Sequence, residues 1–245
     1  MKRLLCLGDS LTFGYGVAAQ DRWLTLLSRA GRVQCQNEGL CGDTTAGMLQ
    51  RLKAMELTAY DAFFLMGGSN DILLDIRREQ TQAHMADMIT RLQGKPVYVG
   101  IPPLTLPESA AYGWQAADAV TGHNDRLTAY RQWLLNECKQ QRLCVFDFYA
   151  ALWDAQKANR TPSLYVDGVH PGPAGYALMA QTARTVLIRS HFLTDDKKTS
   201  LATAAREVFV TIVRCGCTGL CVRPGRAFRS LQAGRRPTRG ECRFA

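Results

Sequence analysis

The chain has 245 residues, 47% apolar and 21% charged, with a formal net charge of +9. That suffices to bury a full core in one large domain, or in a domain with a tail. No apolar run approaches the ~18 residues a bilayer span needs. The charge is uneven. Residues 195–245 hold 11 Lys+Arg against 4 Asp+Glu, and the preceding 194 residues hold 19 against 17. The body is therefore close to neutral and lacks a nucleic-acid footprint.

Met1-Lys2-Arg3 precedes the apolar run Leu4–Leu7. This start is too short for a signal-peptide core of ~7–15 residues, so it reads as the first strand, Arg3–Leu7, of a cytoplasmic protein. A helix over Trp23–Arg29, a strand over Val33–Asn37, a helix over Thr45–Lys53 and a strand over Ala62–Met66 are expected next. The same pattern continues with a helix over Thr81–Leu92 and a strand over Val97–Gly100. Ile101–Gly113 contains Pro102, Pro103 and Pro107 and cannot be regular helix. It should overhang whatever lies past the fourth strand. A helix over Asp118–Gln141, a strand over Cys144–Phe146 and a helix over Pro173–Ile188 complete the body. Alternation of this kind predicts an α/β fold: a five-stranded parallel sheet in a three-layer α/β/α sandwich with right-handed crossovers.

Nine cysteines, an odd number, do not suit a closed disulfide framework. Cys6, Cys35 and Cys144 are expected to pack as small hydrophobes. Past Thr194 the composition changes, which divides the chain into a domain over 1–194 and a basic tail over 195–245. The tail places Cys215, Cys217, Cys221 and Cys242 among Gly, Arg and Pro. Their spacing matches no usual zinc pattern. A disordered arginine-rich appendage, or an altered reading frame, accounts for it, with Val208–Val213 able to form one short element.

Polar, glycine-rich segments follow the expected strands: Gly8-Asp9-Ser10-Leu11, Asn37–Thr44, Gly67-Gly68-Ser69-Asn70-Asp71 and Asp167-Gly168-Val169-His170-Pro171. In a parallel sheet these ends share one edge, where open α/β folds bind ligands. A serine needs a base to become a nucleophile. His170 is the candidate base, and Asp167, three residues earlier in a turn, can orient it. Ser10 N–H, Gly42 N–H and the Asn70 amide are candidate oxyanion donors. Each has a plainer reading: Ser10 as a helix N-cap, Asn70 as a turn residue, Gly42 as turn geometry, Asp167 as an Asx-turn. Asp9 and Asp71 are expected to brace the loops. Ser69 lacks partners at fixed spacing, and His84, His123 and His191 read as surface residues. No Gly-x-Ser-x-Gly elbow and no dinucleotide fingerprint occurs.

With Ser10, Gly42, Asn70 and His170 in order, residues 3–190 resemble the SGNH hydrolases, also called GDSL esterases/lipases. Gly8-Asp9-Ser10-Leu11-Thr12 and Gly14-Tyr15-Gly16 are most similar to the small bacterial arylesterase, lysophospholipase and acyl-thioesterase branch. The resemblance implies a flavodoxin-like sandwich and cleavage of small-molecule esters or thioesters, with no metal or other cofactor. Deacetylation of a sugar is the alternative within the same family, and a lapsed binding module is the alternative outside enzymes. Ile101, Leu104 and Trp114 are expected to line the acyl pocket. The tail, which has no counterpart in the family pattern, is a candidate contact for anionic surfaces.

Overall fold

A computed structural model describes residues 1–158 and 163–194. The expectations for the tail lie outside the described residues. β1 (Lys2–Gly8) leads into a single helical turn, α1 (Ser10–Phe13), and then into α2 (Trp23–Ala30). β2 (Val33–Gly39), α3 (Thr45–Lys53) and β3 (Ala62–Met66) follow. A short α4 (Ser69–Leu73) precedes α5 (Arg78–Arg91) and β4 (Val97–Ile101). One 3₁₀ turn, Pro107–Ala110, interrupts the long connection to α6 (Ala119–Gln140). β5 (Cys144–Asp147), α7 (Phe148–Lys157) and α8 (Pro173–Arg189) complete the described elements.

The sheet has five strands in the order β2-β1-β3-β4-β5, and every pair is parallel. This is the doubly wound order of flavodoxin-like folds. Side-chain alternation divides the core. Leu4, Cys6, Phe64, Met66, Tyr98 and Phe146 pack under α2, α7 and α8. Leu5, Leu7, Phe63, Leu65, Val97 and Val99 pack under α3, α5 and α6. Both faces are covered, so β3 and β4 are buried at every residue, as continuous apolar runs in a parallel sheet require. Cys6 is buried while Cys35 and Cys144 are half-buried, all three as free thiols.

β1 pairs with both β2 and β3, so the carboxyl ends of these three strands lie side by side. Gly8 is in register with Gly39 and with Met66. The loops carrying Ser10, Gly42 and Asn70 are thereby set next to one another. Among the described residues no helix is long and apolar enough to cross a membrane.

Candidate active site

Ser10 is the first residue of α1, and the N-cap is Asp9, whose Oδ1 accepts from Leu11 N at 2.9 Å. The capping role that Ser10 could have served thus belongs to its neighbour. Ser10 Oγ lies 2.9 Å from His170 Nε2, across 160 positions of sequence. His170 Nδ1 lies 2.7 Å from Asp167 Oδ2. With the imidazole proton on Nδ1, Nε2 is the acceptor for the Ser10 hydroxyl. Asp167 Oδ1 accepts from the backbone N–H groups of Val169 and His170 at 3.0 and 2.7 Å. Burial alone would raise the Asp167 carboxyl. The hydrogen bond and charge of His170, with the two backbone donors, outweigh burial and hold it below its usual value. The group that accepts from His170 therefore stays an anion.

Asn70 stands in the first turn of α4 and donates one amide hydrogen to Asp43 O at 2.8 Å. Gly42 has φ +77, so the turn needs a residue tolerant of the left-handed region. A Cβ there would meet nothing within 4 Å, leaving the adjacent space open. Asp71 Oδ2 accepts from Thr45 N at 2.9 Å, and its Oδ1 accepts from the hydroxyls of Thr45 and Thr81. Asp71 thereby ties α4 to the start of α3.

Several expectations need correction. Ile101 and Leu104 are both buried in the α3/α5/α6 side of the core. Trp114 does reach the site, but its Nε1–H donates to Asp167 Oδ2 at 2.9 Å. His123 is buried, with Nδ1 2.7 Å from Gln115 Oε1. His84 is half-buried, its Nδ1 3.2 Å from Thr45 Oγ1. His191 is exposed.

The family model of the GDSL-like Lipase/Acylhydrolase family matches residues 6–178. The chain belongs to this family. It is accordingly a hydrolase acting on esters. Among curated proteins none matches. A solved member of the lipolytic protein G-D-S-L family from Veillonella parvula DSM 2008 is 27% identical, covering 77% of this chain and 100% of its own, with a TM-score of 0.61. A putative lipolytic protein of the G-D-S-L family from Desulfitobacterium hafniense DCB-2 is 22% identical, covering 76% and 100%, with a TM-score of 0.64. A carbohydrate acetylesterase family member from Sinorhizobium meliloti is 20% identical, covering 77% and 98%, with a TM-score of 0.59. The last two likenesses establish the fold alone.

One residue of this GDSL-family site escaped sequence reasoning. Arg51 on α3 donates from Nε to Asp43 Oδ2 at 2.9 Å, from Nη1 to Glu38 O at 3.0 Å and from Nη2 to Gly8 O at 3.0 Å. It clasps the ends of β1 and β2 to the Gly42–Asp43 turn. Burial pushes the Asp43 carboxyl up despite the opposing pull of Arg51. The signal in sequence was faint: an arginine eight positions after an aspartate, on the face of α3 toward the strand ends.

Proposed function

We propose that this GDSL-family hydrolase cleaves carboxylic esters through an acyl-enzyme on Ser10. The observation that carries the reading is the continuous hydrogen-bond chain from Ser10 Oγ through His170 to Asp167. His170 Nε2 takes the hydroxyl proton as Ser10 Oγ attacks the acyl carbon. Asp167 holds the imidazole in orientation and stabilises the imidazolium. The tetrahedral oxyanion is held by Ser10 N–H, Gly42 N–H and the second amide hydrogen of Asn70. Collapse expels the alcohol or thiol, which takes its proton from His170. A water deprotonated by His170 then releases the acid and restores Ser10.

An apolar acyl group is the substrate part of this reading. The exposed large apolar side chains among the described residues include Leu40, Leu74, Tyr112 and Val166. In sequence they follow β2, α4 and β4 and precede Asp167, respectively, on the segments that connect the elements of the site. Exposed apolar side chains on those segments are the reason to favour medium-chain esters, thioesters or lysophospholipids over bare acetyl groups. Initial rates on p-nitrophenyl acetate, octanoate and palmitate, and on an acyl-CoA, test both parts of the reading. Ser10→Ala should cost on the order of 10⁶ in turnover, and octanoate should exceed acetate in kcat/KM. Full activity in Ser10→Ala would refute the serine mechanism. An acetate-only profile would favour the sugar-deacetylase alternative. A folded wild type that is inactive on all of them and unlabelled by a fluorophosphonate would identify a lapsed module.

A further inference from the structure

Asp167 accepts four hydrogen bonds. Three come from its own turn, and the fourth, from Trp114 Nε1, comes from the connection between β4 and α6. His170 and Trp114 share Oδ2 as their acceptor. The indole also stands edge-on to the imidazole, with ring centroids 5.0 Å apart at 71°. Tyr15 lies against both rings, 4.5 Å from His170 and 6.0 Å from Trp114 between centroids.

The segment carrying Trp114 is fixed by a polar network rooted on α6. Asn124 Oδ1 accepts from Thr105 N and Oγ1, and its Nδ2 donates to Thr105 O at 2.8 Å. Gln115 Nε2 donates to Thr105 Oγ1 and to Ser109 Oγ, while Gln115 Oε1 meets His123 Nδ1. Trp114 N donates to Ser109 O at 3.1 Å. The same segment grips the Asp167 turn directly, since Leu106 N donates to Gly168 O at 2.7 Å. A chain with little regular structure is thus held where its indole meets the carboxylate.

We infer that Trp114 is a positioning residue for the Asp167–His170 pair: its N–H fixes the carboxylate oxygen that faces the imidazole, and its ring walls the imidazole edge. This rests on the Ser10 acyl-enzyme reading and extends it to a residue 53 positions from Asp167. A tryptophan lining the acyl pocket would instead act on substrate affinity. Carboxylates that orient a base work through tautomer and direction, so a donor that fixes the carboxylate acts on turnover.

Trp114→Phe keeps a flat ring and removes the donor. On p-nitrophenyl acetate its kcat should fall about ten- to hundredfold, the weight of one hydrogen bond to a charged group, with KM within about twofold of wild type. The low-field Nδ1 proton of His170 should shift further downfield, because one competing donor has left Oδ2. An unchanged kcat, a rise in KM at constant kcat, or an unmoved Nδ1 proton would each overturn the inference. Should Trp114→Phe fail to fold, the indole N–H resonances of the wild type are compared with those of Asp167→Asn. One indole proton should move upfield well beyond the others, and four unmoved indoles would overturn the inference. Ser10→Ala, assayed alongside, separates the two claims: if it stays active, the acyl-enzyme reading fails whatever Trp114 does.

Discussion

Asp9 sits directly beneath the proposed nucleophile with no exposed surface, and its Oδ2 has no hydrogen-bond partner among the described residues. Burial, and then the charges of Asp71 and Asp43, push its carboxyl up to about 7, against the lowering effect of the Leu11 N–H. An unfolded aspartate titrates near 3.9. Between about pH 4 and pH 7 the folded protein therefore holds a proton that the unfolded chain has released. Asp9 thus contributes most to stability at low pH, and that contribution is lost as pH rises through this window, by a few kcal/mol at ~1.4 kcal/mol per unit. Asp9→Asn keeps the Oδ1 acceptor that caps α1 and removes the titration. Urea unfolding at several pH values from 4 to 8 should give a flatter curve for the variant than for wild type, and parallel curves would show that Asp9 titrates normally. At Asn70 the expected effect is catalytic. Asn70→Ala removes one proposed oxyanion donor and should cost about 10²–10³ in kcat; near-normal turnover would remove Asn70 from the oxyanion set. Asp167 and His170 were legible in sequence because three residues and one glycine confine them to a single turn. The hydrogen bond from Trp114 was not, because it depends on how a long irregular segment folds.

At the scale of elements, α3 does more than cover the sheet. Through Arg51 it binds the carbonyl ends of β1 and β2 and the Asp43 carboxylate, which stands in the turn beside Gly42. Arg51→Ala would leave a mostly buried carboxylate and two carbonyls without this donor. The expected loss is about 1–3 kcal/mol, the cost of unsatisfied groups of this kind, with a fall in kcat because the Gly42 turn loosens. Urea denaturation and initial rates measure both, and unchanged turnover would show that the turn holds without α3. Gly168 offers a steric counterpart. Its φ is +82, and a Cβ would lie 2.4 Å from Ser109 N. Gly168→Ala should therefore move the Asp167 turn off the β4–α6 segment and lower both melting temperature and kcat; a melting temperature equal to wild type would show that the segment gives way freely. The major strands and helices were legible to within a few residues, since apolar parity and helical periodicity define them. α7 was missed because no break separates it from β5, although Asp147 caps it by accepting from Ala150 N. α1 and α4 are single turns that start inside the two polar motifs, where loop and helix composition coincide. The burial of Ile101 and Leu104 was not legible because it depends on packing between the sheet and the helices over it, not on local pattern.

The whole molecule gathers its chemistry at one sheet edge because parallel strands leave all their carboxyl ends on the same side. Ser10, the Gly42 turn and Asn70 follow β1, β2 and β3, which are adjacent in the sheet. The Asp167–His170 turn precedes α8, which packs beside α2 and α7 on one face. Every residue invoked in the proposed reaction, and every core element among the described residues, lies within residues 2–193. Residues 195–245 contribute a charge excess of +7, which leaves the body at +2. Charge on that scale governs adsorption to anionic surfaces rather than folding. A chain ending at Thr194 should therefore keep its melting temperature within a few degrees and its kcat on p-nitrophenyl octanoate. Its retention on a cation exchanger should drop sharply, as should any salt-sensitive binding to anionic vesicles. Equal vesicle binding by the two forms would assign that contact to the body. A large fall in melting temperature would mean that the sandwich draws part of its stability from residues past 194, and would overturn the division into an ester-hydrolysing domain and a basic appendage.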